Sequence, residues 1–187
     1  MRIVIDPGHG GKDPGAVKDL YKGKLVKEKD ITLAAAHLLY VSSLPYYYDI
    51  LLTRTGDETV SLSDRVNKAI DFNANLFISL HCNASEDETA NGVEVWVYEN
   101  SKAFDLAKTV CELISRRVDL KNRGVKTTSK LYVLKKTPMP AILVEMGFIT
   151  SRFDVWRLID PISLGFIVTG IHQAIAATLG GDRDGLD

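Results

Sequence analysis

Four side chains that could bind a metal ion or transfer a proton stand where secondary-structure elements are predicted to begin or end. These residues are His9, Glu28, His81 and Glu145. Both histidines end short runs of apolar residues, Glu28 precedes an amphipathic helical pattern, and Glu145 follows the most apolar strand pattern of the chain. Because open α/β sheets bind ligands at the carboxyl ends of their strands, we expect the four side chains to meet in one site.

The types of these side chains indicate metal-assisted hydrolysis. Two imidazoles and one carboxylate are a common ligand set for a catalytic zinc ion, with the fourth position left for water. A second carboxylate beside that water would act as a general base. The spacing does not decide whether Glu28 or Glu145 binds the metal. A helix-dipole carboxylate and a salt-bridged strand end are the structural alternatives for these two residues.

Other candidate groups fit structural roles better. His37 and His172 lie in predicted helices without partners nearby in sequence, so we interpret both as surface or core residues. Cys82 and Cys111 are too few for a disulfide framework, and we expect free thiols. A phosphate-binding loop at residues 7–15 is disfavoured, because the Gly-x-x-x-x-Gly-Lys-Ser/Thr pattern is absent.

The elements that must position the four residues alternate between strand and helix. Hydrophobic periodicity predicts strands at residues 3–6, 48–53, 76–81, 93–98, 130–134 and 141–144. Helices are predicted at residues 30–43, 61–70, 103–118 and 161–179, with candidate caps at Asp30, at Ser61 or Ser63, and at Asp160, and with Gly180 and Gly181 after the last helix. Residues 12–27 read as a polar loop. The alternation predicts a single-domain α/β fold with a twisted, mostly parallel or mixed sheet and helices on both faces.

Length and charge restrict the class of protein. A chain of 187 residues fits one domain, which should bury about 70% of the surface of the unfolded chain. We expect this domain to span residues 1–180 and the polar residues 181–187 to resemble a linker. The net charge of −1, with Lys and Arg spread along the chain, argues against a nucleic-acid partner.

Two further segments bear on membranes and secretion. The apolar stretch 162–179 contains Gly, Ser, Thr, His and Gln residues, so we interpret it as a buried helix and expect no membrane span. The sequence begins with a strand pattern and shows no signal peptide. We therefore expect either a protein without a secretory signal or a mature or excised domain.

Four ordered motifs carry a resemblance to a known family. They are Asp6-Pro7-Gly8-His9-Gly10-Gly11, Glu28-Lys29-Asp30, Ser79-Leu80-His81-Cys82-Asn83-Ala84 and Val144-Glu145-Met146-Gly147-Phe148. With them the chain resembles the zinc-dependent N-acetylmuramoyl-L-alanine amidases of the Amidase_3 type over residues 2–179. The resemblance implies that His9, Glu28 and His81 bind one catalytic Zn²⁺ and that Glu145 is the catalytic carboxylate.

The reaction implied by this resemblance is hydrolysis of the amide between N-acetylmuramic acid and L-alanine in peptidoglycan. The protein would then act at the cell wall, either secreted or as a phage lysin released from the host cytoplasm. Asp6 and Asn83, which are close in sequence to the histidines, are candidates to orient them, with local turn hydrogen bonding as the alternative. A zinc peptidase or deacetylase, and a wall-binding module without catalysis, are the competing interpretations.

The chain departs from the family at two places. Cys82 stands where a small residue is usual, and strand alternation predicts that its side chain points away from that of His81 into the core. The long inhibitory insertion of some cell-division amidases is absent after the helix that ends near Leu120, so we expect an open site.

Contacts with the substrate are predicted beside the groove. The segments 92–94, 123–126 and 131–134 occupy regions that flank the groove in the family, and Lys126 is a candidate to meet a stem-peptide carboxylate, with a solvated turn as the alternative. Because a near-neutral chain is attracted little by an anionic wall, a separate wall-binding domain beyond the linker-like tail is a further hypothesis.

Overall fold

A six-stranded mixed sheet forms the centre of the molecule. The computed structural model describes residues 1–46 and 48–179. The strands of this sheet are β1 (Arg2–Pro7), β4 (Asp49–Leu52), β5 (Leu76–Asn83), β6 (Val93–Tyr98), β7 (Asn122–Thr128) and β8 (Ala141–Phe148). They lie in the order β4-β1-β5-β8-β6-β7, in which the first four are parallel, β6 is antiparallel to β8, and β7 is parallel to β6. The predicted single-domain mixed α/β sheet is confirmed.

Helices cover both faces of this sheet. They are α1 (Glu28–Ser43), followed by a short 3₁₀ turn (Leu44–Tyr46), α2 (Leu62–Asp71), α3 (Phe104–Val118), α4 (Tyr132–Lys136), α5 (Asp154–Ile159) and α6 (Pro161–Leu179). The larger hydrophobic core lies on the face covered by α1, α3, α5 and α6, and the smaller core on the face covered by α2 and α4. The sparsely covered second face leaves room for a groove.

Alternation along the strands separates the core from the site. On β5, Leu80 and Cys82 point into the larger core, whereas Ser79 and His81 point to the opposite face, as the period of a strand requires. Cys82 is a buried free thiol in that core, so the prediction that it points away from His81 is confirmed.

The long helix α6 packs against α1 and α3, and several of its side chains lie in the larger core, among them Ile167, Ile171 and Ala174. Among the described residues it is the one helix that is long and apolar enough to cross a membrane by length and composition. Asp160 caps it, because its Oδ2 atom accepts a hydrogen bond of 2.8 Å from the backbone N–H of Ser163. The predicted stop at Gly180 and Gly181 and the tail 181–187 lie outside the described residues.

Three predicted elements are wrong. Residues 130–134 are not a strand, since β7 lies at Asn122–Thr128 and residues Tyr132–Lys136 form α4. As an edge strand paired only with β6, β7 is rich in polar residues and Gly and lacks the apolar pattern of a central strand. The polar loop 12–27 contains a small antiparallel hairpin, β2 (Val17–Asp19) and β3 (Leu25–Lys27).

The third error concerns the start of α1. Asp30 is not the N-cap, because α1 begins at Glu28 with Lys27 at the N-cap position and without a side-chain cap. The backbone carbonyls of Ala16 and Pro14 accept hydrogen bonds from the first two N–H groups of the helix, which replaces the side-chain cap. Ser61 caps α2, as one of the two predicted alternatives, and α5 was not predicted.

Candidate metal centre

The glycine-rich segment after β1 places His9 at the end of the sheet. The backbone N–H of Gly8 donates to the carbonyl of Leu80 on β5, and His9 then adopts a left-handed conformation with φ of 60°. Non-glycine residues rarely adopt this conformation, and the residues that do are concentrated at functional sites. A side-chain carbon at Gly8 would overlap the imidazole of His81, so glycine is required for the close approach of these two segments.

Glu28 reaches the two histidines from the first turn of α1. Its Oε2 atom accepts a hydrogen bond of 2.9 Å from the N–H of Ala16, and its Oε1 atom accepts one of 2.9 Å from the N–H of Cys82. The same Oε1 atom lies 3.1 Å from Nε2 of His9 and 3.0 Å from Nδ1 of His81. The sheet and α1 therefore fix one carboxylate oxygen between two imidazole nitrogens.

This arrangement fits a tetrahedral metal ion. One ligand atom from each of His9, Glu28 and His81 lies within 4.8 Å of the other two. In tetrahedral zinc sites with bonds of about 2.0–2.1 Å, ligand atoms stand about 3.3 Å apart, which is close to the distances of Glu28 to the two imidazoles. The neutral imidazole and carboxylate donors are those preferred by zinc, so the three residues could hold such an ion.

The close contacts at this centre shift the pKa values of Glu28 and His9. Burial favours the neutral forms, but hydrogen bonds and charge from His81 and His9 outweigh it and hold the pKa of Glu28 well below its usual range. Burial alone would lower the pKa of His9, whereas Glu28 and Asp13 together raise it to about 9. Glu28 is therefore an anion aimed at the two histidines.

Glu145 lies beside this group on the next strand. It is the register neighbour of His81 on β8, and both side chains point to the α2 and α4 face. Its Oε2 atom is buried and has no hydrogen-bond partner among the described residues. Burial raises the pKa of Glu145 to about 7. The charge of His81 opposes this shift, and the charge of Glu28 adds to it. The four predicted side chains thus come together at the carboxyl ends of the parallel strands.

The group that orients His9 is Asp13, which was not predicted. Oδ2 of Asp13 lies 2.8 Å from Nδ1 of His9, on the side of the ring opposite Glu28, and Oδ1 accepts a hydrogen bond from the N–H of Gly15. A carboxylate on the second imidazole nitrogen fixes the orientation of the ring. The position of Asp13 in the glycine-rich motif region, four residues after His9, is the signal that could have indicated this role.

The proposed orienting roles of Asp6 and Asn83 are not supported by their contacts. The carboxylate of Asp6 accepts hydrogen bonds from Thr53, Ser79 and Arg65, and the side-chain amide of Asn83 donates to Glu94. Asp6 is a buried acceptor below the loop and does not touch a histidine ring in the described hydrogen bonds.

Two buried arginines hold the backbone of the loop that carries His9. Arg65 on α2 donates to Asp6 at 2.6 Å, to the carbonyl of Pro7 at 2.8 Å and to the carbonyl of His9 at 2.6 Å. Arg54 donates to the carbonyls of Pro7 and Gly8. Together they occupy three successive carbonyl oxygens, and we call this pair the arginine clamp. The sequence signal was an arginine at position 65, next to Val66 on the buried face of α2.

The other two histidines lie outside the centre, as expected, although the buried Nε2 atom of His172 has no hydrogen-bond partner among the described residues. Nε2 of His37 lies 3.1 Å from the carbonyl of Thr55, and the ring of His172 packs edge-on against Tyr46. Neither belongs to the His9, Glu28 and His81 group.

Two clefts contain residues of the centre on the α2 and α4 face, and Leu131 lines both of them. The first, of about 440 Å³, contains His9 and His81 and is walled by the start of α2 and by α4. The second, of about 260 Å³, contains Glu145. Its other lining residues are Asn83, Glu94, Trp96, Thr128 and Lys130. Lys126 is not among the residues lining either cleft, whereas Lys130 lines the second one.

The fold and the site define an α/β domain with a His-Glu-His centre at the carboxyl ends of its parallel strands. Residues 3–177 match the family model described as N-acetylmuramoyl-L-alanine amidase, Amidase_3. The chain therefore belongs to this family, as the sequence motifs predicted.

Curated relatives and a solved structure agree with this membership. The chain is 36% identical to the N-acetylmuramoyl-L-alanine amidase CwlM of Bacillus licheniformis over 180 residues, which are 94% of this chain and 68% of that protein. It is 35% identical to the amidase LytC of Bacillus subtilis (strain 168) over 177 residues, which are 91% of this chain and 34% of LytC. The chain thus spans only part of these relatives.

The structural comparison covers nearly all of the chain. The amidase AmiC2 of Nostoc punctiforme superimposes with a TM-score of 0.88 and 36% identity, over 96% of this chain and 97% of that one.

Proposed function

We propose that this chain hydrolyses the amide bond between the lactyl group of N-acetylmuramic acid and L-alanine in peptidoglycan, with one zinc ion. The observation that carries the proposal is the convergence of His9, Glu28 and His81 beside the buried carboxylate of Glu145, in a chain of the amidase family. We further propose that residues 1–180 act as the catalytic domain and that its site of action is the cell wall.

His9, Glu28 and His81 would hold the metal through Nε2, Oε1 and Nδ1 respectively. When bound, zinc supplies a Lewis acid that polarises the scissile carbonyl and makes the attacking water more acidic. Asp13 keeps the ring of His9 in the orientation in which Nε2 faces Glu28.

Glu145 moves the proton in this proposal. Its carboxylate takes a proton from the attacking water as the new C–O bond forms, and it returns that proton to the amide nitrogen as the C–N bond breaks. The products are a muramic acid carboxylate and a peptide with a free L-alanine amino terminus. Because Oε2 of Glu145 has no hydrogen-bond partner among the described residues, no internal donor competes with the water for it.

The connection between α3 and β7 supports a site that needs no activator. α3 ends at Val118 and β7 begins at Asn122, so only three residues connect them and no inserted segment lies between these elements. We therefore propose that the groove is open to substrate in the isolated chain.

The test is hydrolysis of purified peptidoglycan by chelator-treated protein, with and without added zinc, followed by mass spectrometry of the released ends. The proposal predicts that zinc restores the release of peptides with L-alanine amino termini and leaves peptide-free glycan. Cleavage inside the stem peptides would show that the protein is a peptidase instead of an amidase. Release of acetate from the glycan would show that it is a deacetylase. Zinc-loaded protein that binds peptidoglycan without releasing any product would support a wall-binding module.

A further inference from the structure

The cleft that contains Glu145 offers both an anion and a cation to a ligand. Glu145 supplies the negative charge. The exposed side chain of Lys130 supplies the positive charge, and it makes no ion pair with the described part of the chain. Both groups line the same cavity of about 260 Å³.

The third charged group that lines this cleft is already neutralised. The buried carboxylate of Glu94 accepts hydrogen bonds of 2.8 Å from Asn83, 3.3 Å from Trp96 and 2.7 Å from Arg123. Arg123 in turn lies over the ring of Phe148. These contacts make a rigid wall whose charges are satisfied internally, so Lys130 and Glu145 are left to meet the ligand.

The direction of the reaction decides which part of the substrate enters this cleft. In the proposed function Glu145 returns its proton to the leaving amide nitrogen, so the amine side of the scissile bond must face Glu145. The acyl side then extends into the cleft of about 440 Å³ that contains His9 and His81. The smaller cleft is below the range of about 300–1,000 Å³ typical of drug-sized ligands, which suits a short peptide segment.

We propose that the Glu145 cleft binds the first two residues of the stem peptide and that Lys130 recognises a free carboxylate on the second residue. The peptide leaves with a new amino group at Glu145 and carries its carboxylate to Lys130, which matches the two charges of the cleft. Trp96 lines the same cleft and provides an apolar surface for the peptide. This inference rests on the proposed function and adds an orientation of the substrate and a specificity-determining residue.

The test compares two muramoyl dipeptides that differ in one group. One carries a free α-carboxylate on its second residue, and the other carries a carboxamide there. For the wild-type protein we expect kcat/KM to be roughly fivefold higher with the carboxylate, since Lys130 is exposed and the ion pair is partly screened. Lys130→Met should remove this preference, and Lys130→Glu should reverse it.

The control is Lys108→Met, which removes an equal charge from the exposed side of α3 on the opposite face of the sheet and should keep the wild-type preference. The readout is the ratio of the two kcat/KM values within each variant. A smaller fraction of folded protein lowers both values equally and leaves this ratio unchanged. A preference that persists in Lys130→Met, or a ratio near one in the wild type, overturns the inference while the amidase function stands. Failure of the zinc-loaded wild type to hydrolyse either compound overturns both.

Calorimetry with the product dipeptide, L-alanine followed by a second residue with a free α-carboxylate, gives a readout without turnover. The proposal predicts that the wild type and Lys108→Met bind this product with equal affinity and that Lys130→Met binds it roughly fivefold more weakly. Equal binding by the wild type and Lys130→Met would contradict the role assigned to Lys130.

Discussion

Asp13 shows how a single side chain outside the His9, Glu28 and His81 group can fix the orientation of one of its members. Its carboxylate and that of Glu28 contact opposite nitrogens of the His9 ring, so the imidazole cannot rotate without losing one of them. The sequence indicated His9 because a histidine follows a strand and stands among glycines. The spacing of four residues between His9 and Asp13 was not enough by itself to predict their contact, since the contact also depends on the left-handed backbone at His9 and the glycines after it.

Asp13→Ala should weaken zinc binding by about 10–100-fold, because the ring of His9 loses the group that orients it. Competition with a chromophoric chelator measures the affinity. Asp19→Ala is the matched control: Asp19 also accepts hydrogen bonds from a glycine N–H, that of Gly23, but it lies in the β2–β3 hairpin. Equal zinc affinity in Asp13→Ala and the wild type would contradict the role of Asp13.

At the scale of elements, the arginine clamp links α2 to the loop that carries His9. Arg65 belongs to a helix that covers the smaller core, but its guanidinium donates hydrogen bonds to the carbonyls of Pro7 and His9. It also forms a buried ion pair with Asp6 at the end of β1. The left-handed backbone of His9 is thus fixed by contacts from outside its own segment.

Arg65→Met should destabilise the fold by about 3–5 kcal/mol, because it leaves the carboxylate of Asp6 buried without its ion-pair partner. We expect a lower zinc affinity as well, since the carbonyl of His9 loses its donor. Urea unfolding and the chelator competition measure the two effects. Arg116→Met, at an exposed position of α3, should change the stability by less than about 0.5 kcal/mol. A stable Arg65→Met protein with unchanged zinc affinity would contradict the proposed clamp.

Strong periodic patterns made most elements predictable. The central strands β1, β5 and β8 are buried on both faces and read as apolar runs, and α3 shows a long apolar stripe. The edge strand β7 was not recognised because it contains mostly polar residues and Gly, and the hairpin β2–β3 was not recognised because each of its strands has only three residues, too few to show a period. The N-cap at Asp30 was wrong because distant backbone carbonyls cap α1.

At the scale of the whole molecule, the order of the strands assembles the centre from distant parts of the chain. Because β1 and β8 lie on either side of β5, His9, His81 and Glu145 come together at the carboxyl ends of these strands, although residues 9 and 145 are far apart in the sequence. The position of Glu28 could be predicted from its place at a helix start, but its role as a ligand came from the family resemblance. Its contacts with both imidazoles support that role. The family match covers residues 3–177, which include every strand of the sheet apart from Arg2 at the start of β1.

The most direct test of the account separates metal binding from proton transfer in one variant. Glu145→Gln should bind one zinc ion per chain with an affinity like that of the wild type, because Glu145 is outside the ligand group. Its turnover of a muramoyl-L-alanine substrate should fall by about 10²–10⁴-fold, since the amide cannot accept the proton of water. Zinc content and turnover are measured on the same sample. Turnover within a fewfold of the wild type, or loss of zinc together with activity, would contradict the assignment of Glu145 as the general base beside a His9, Glu28 and His81 metal centre.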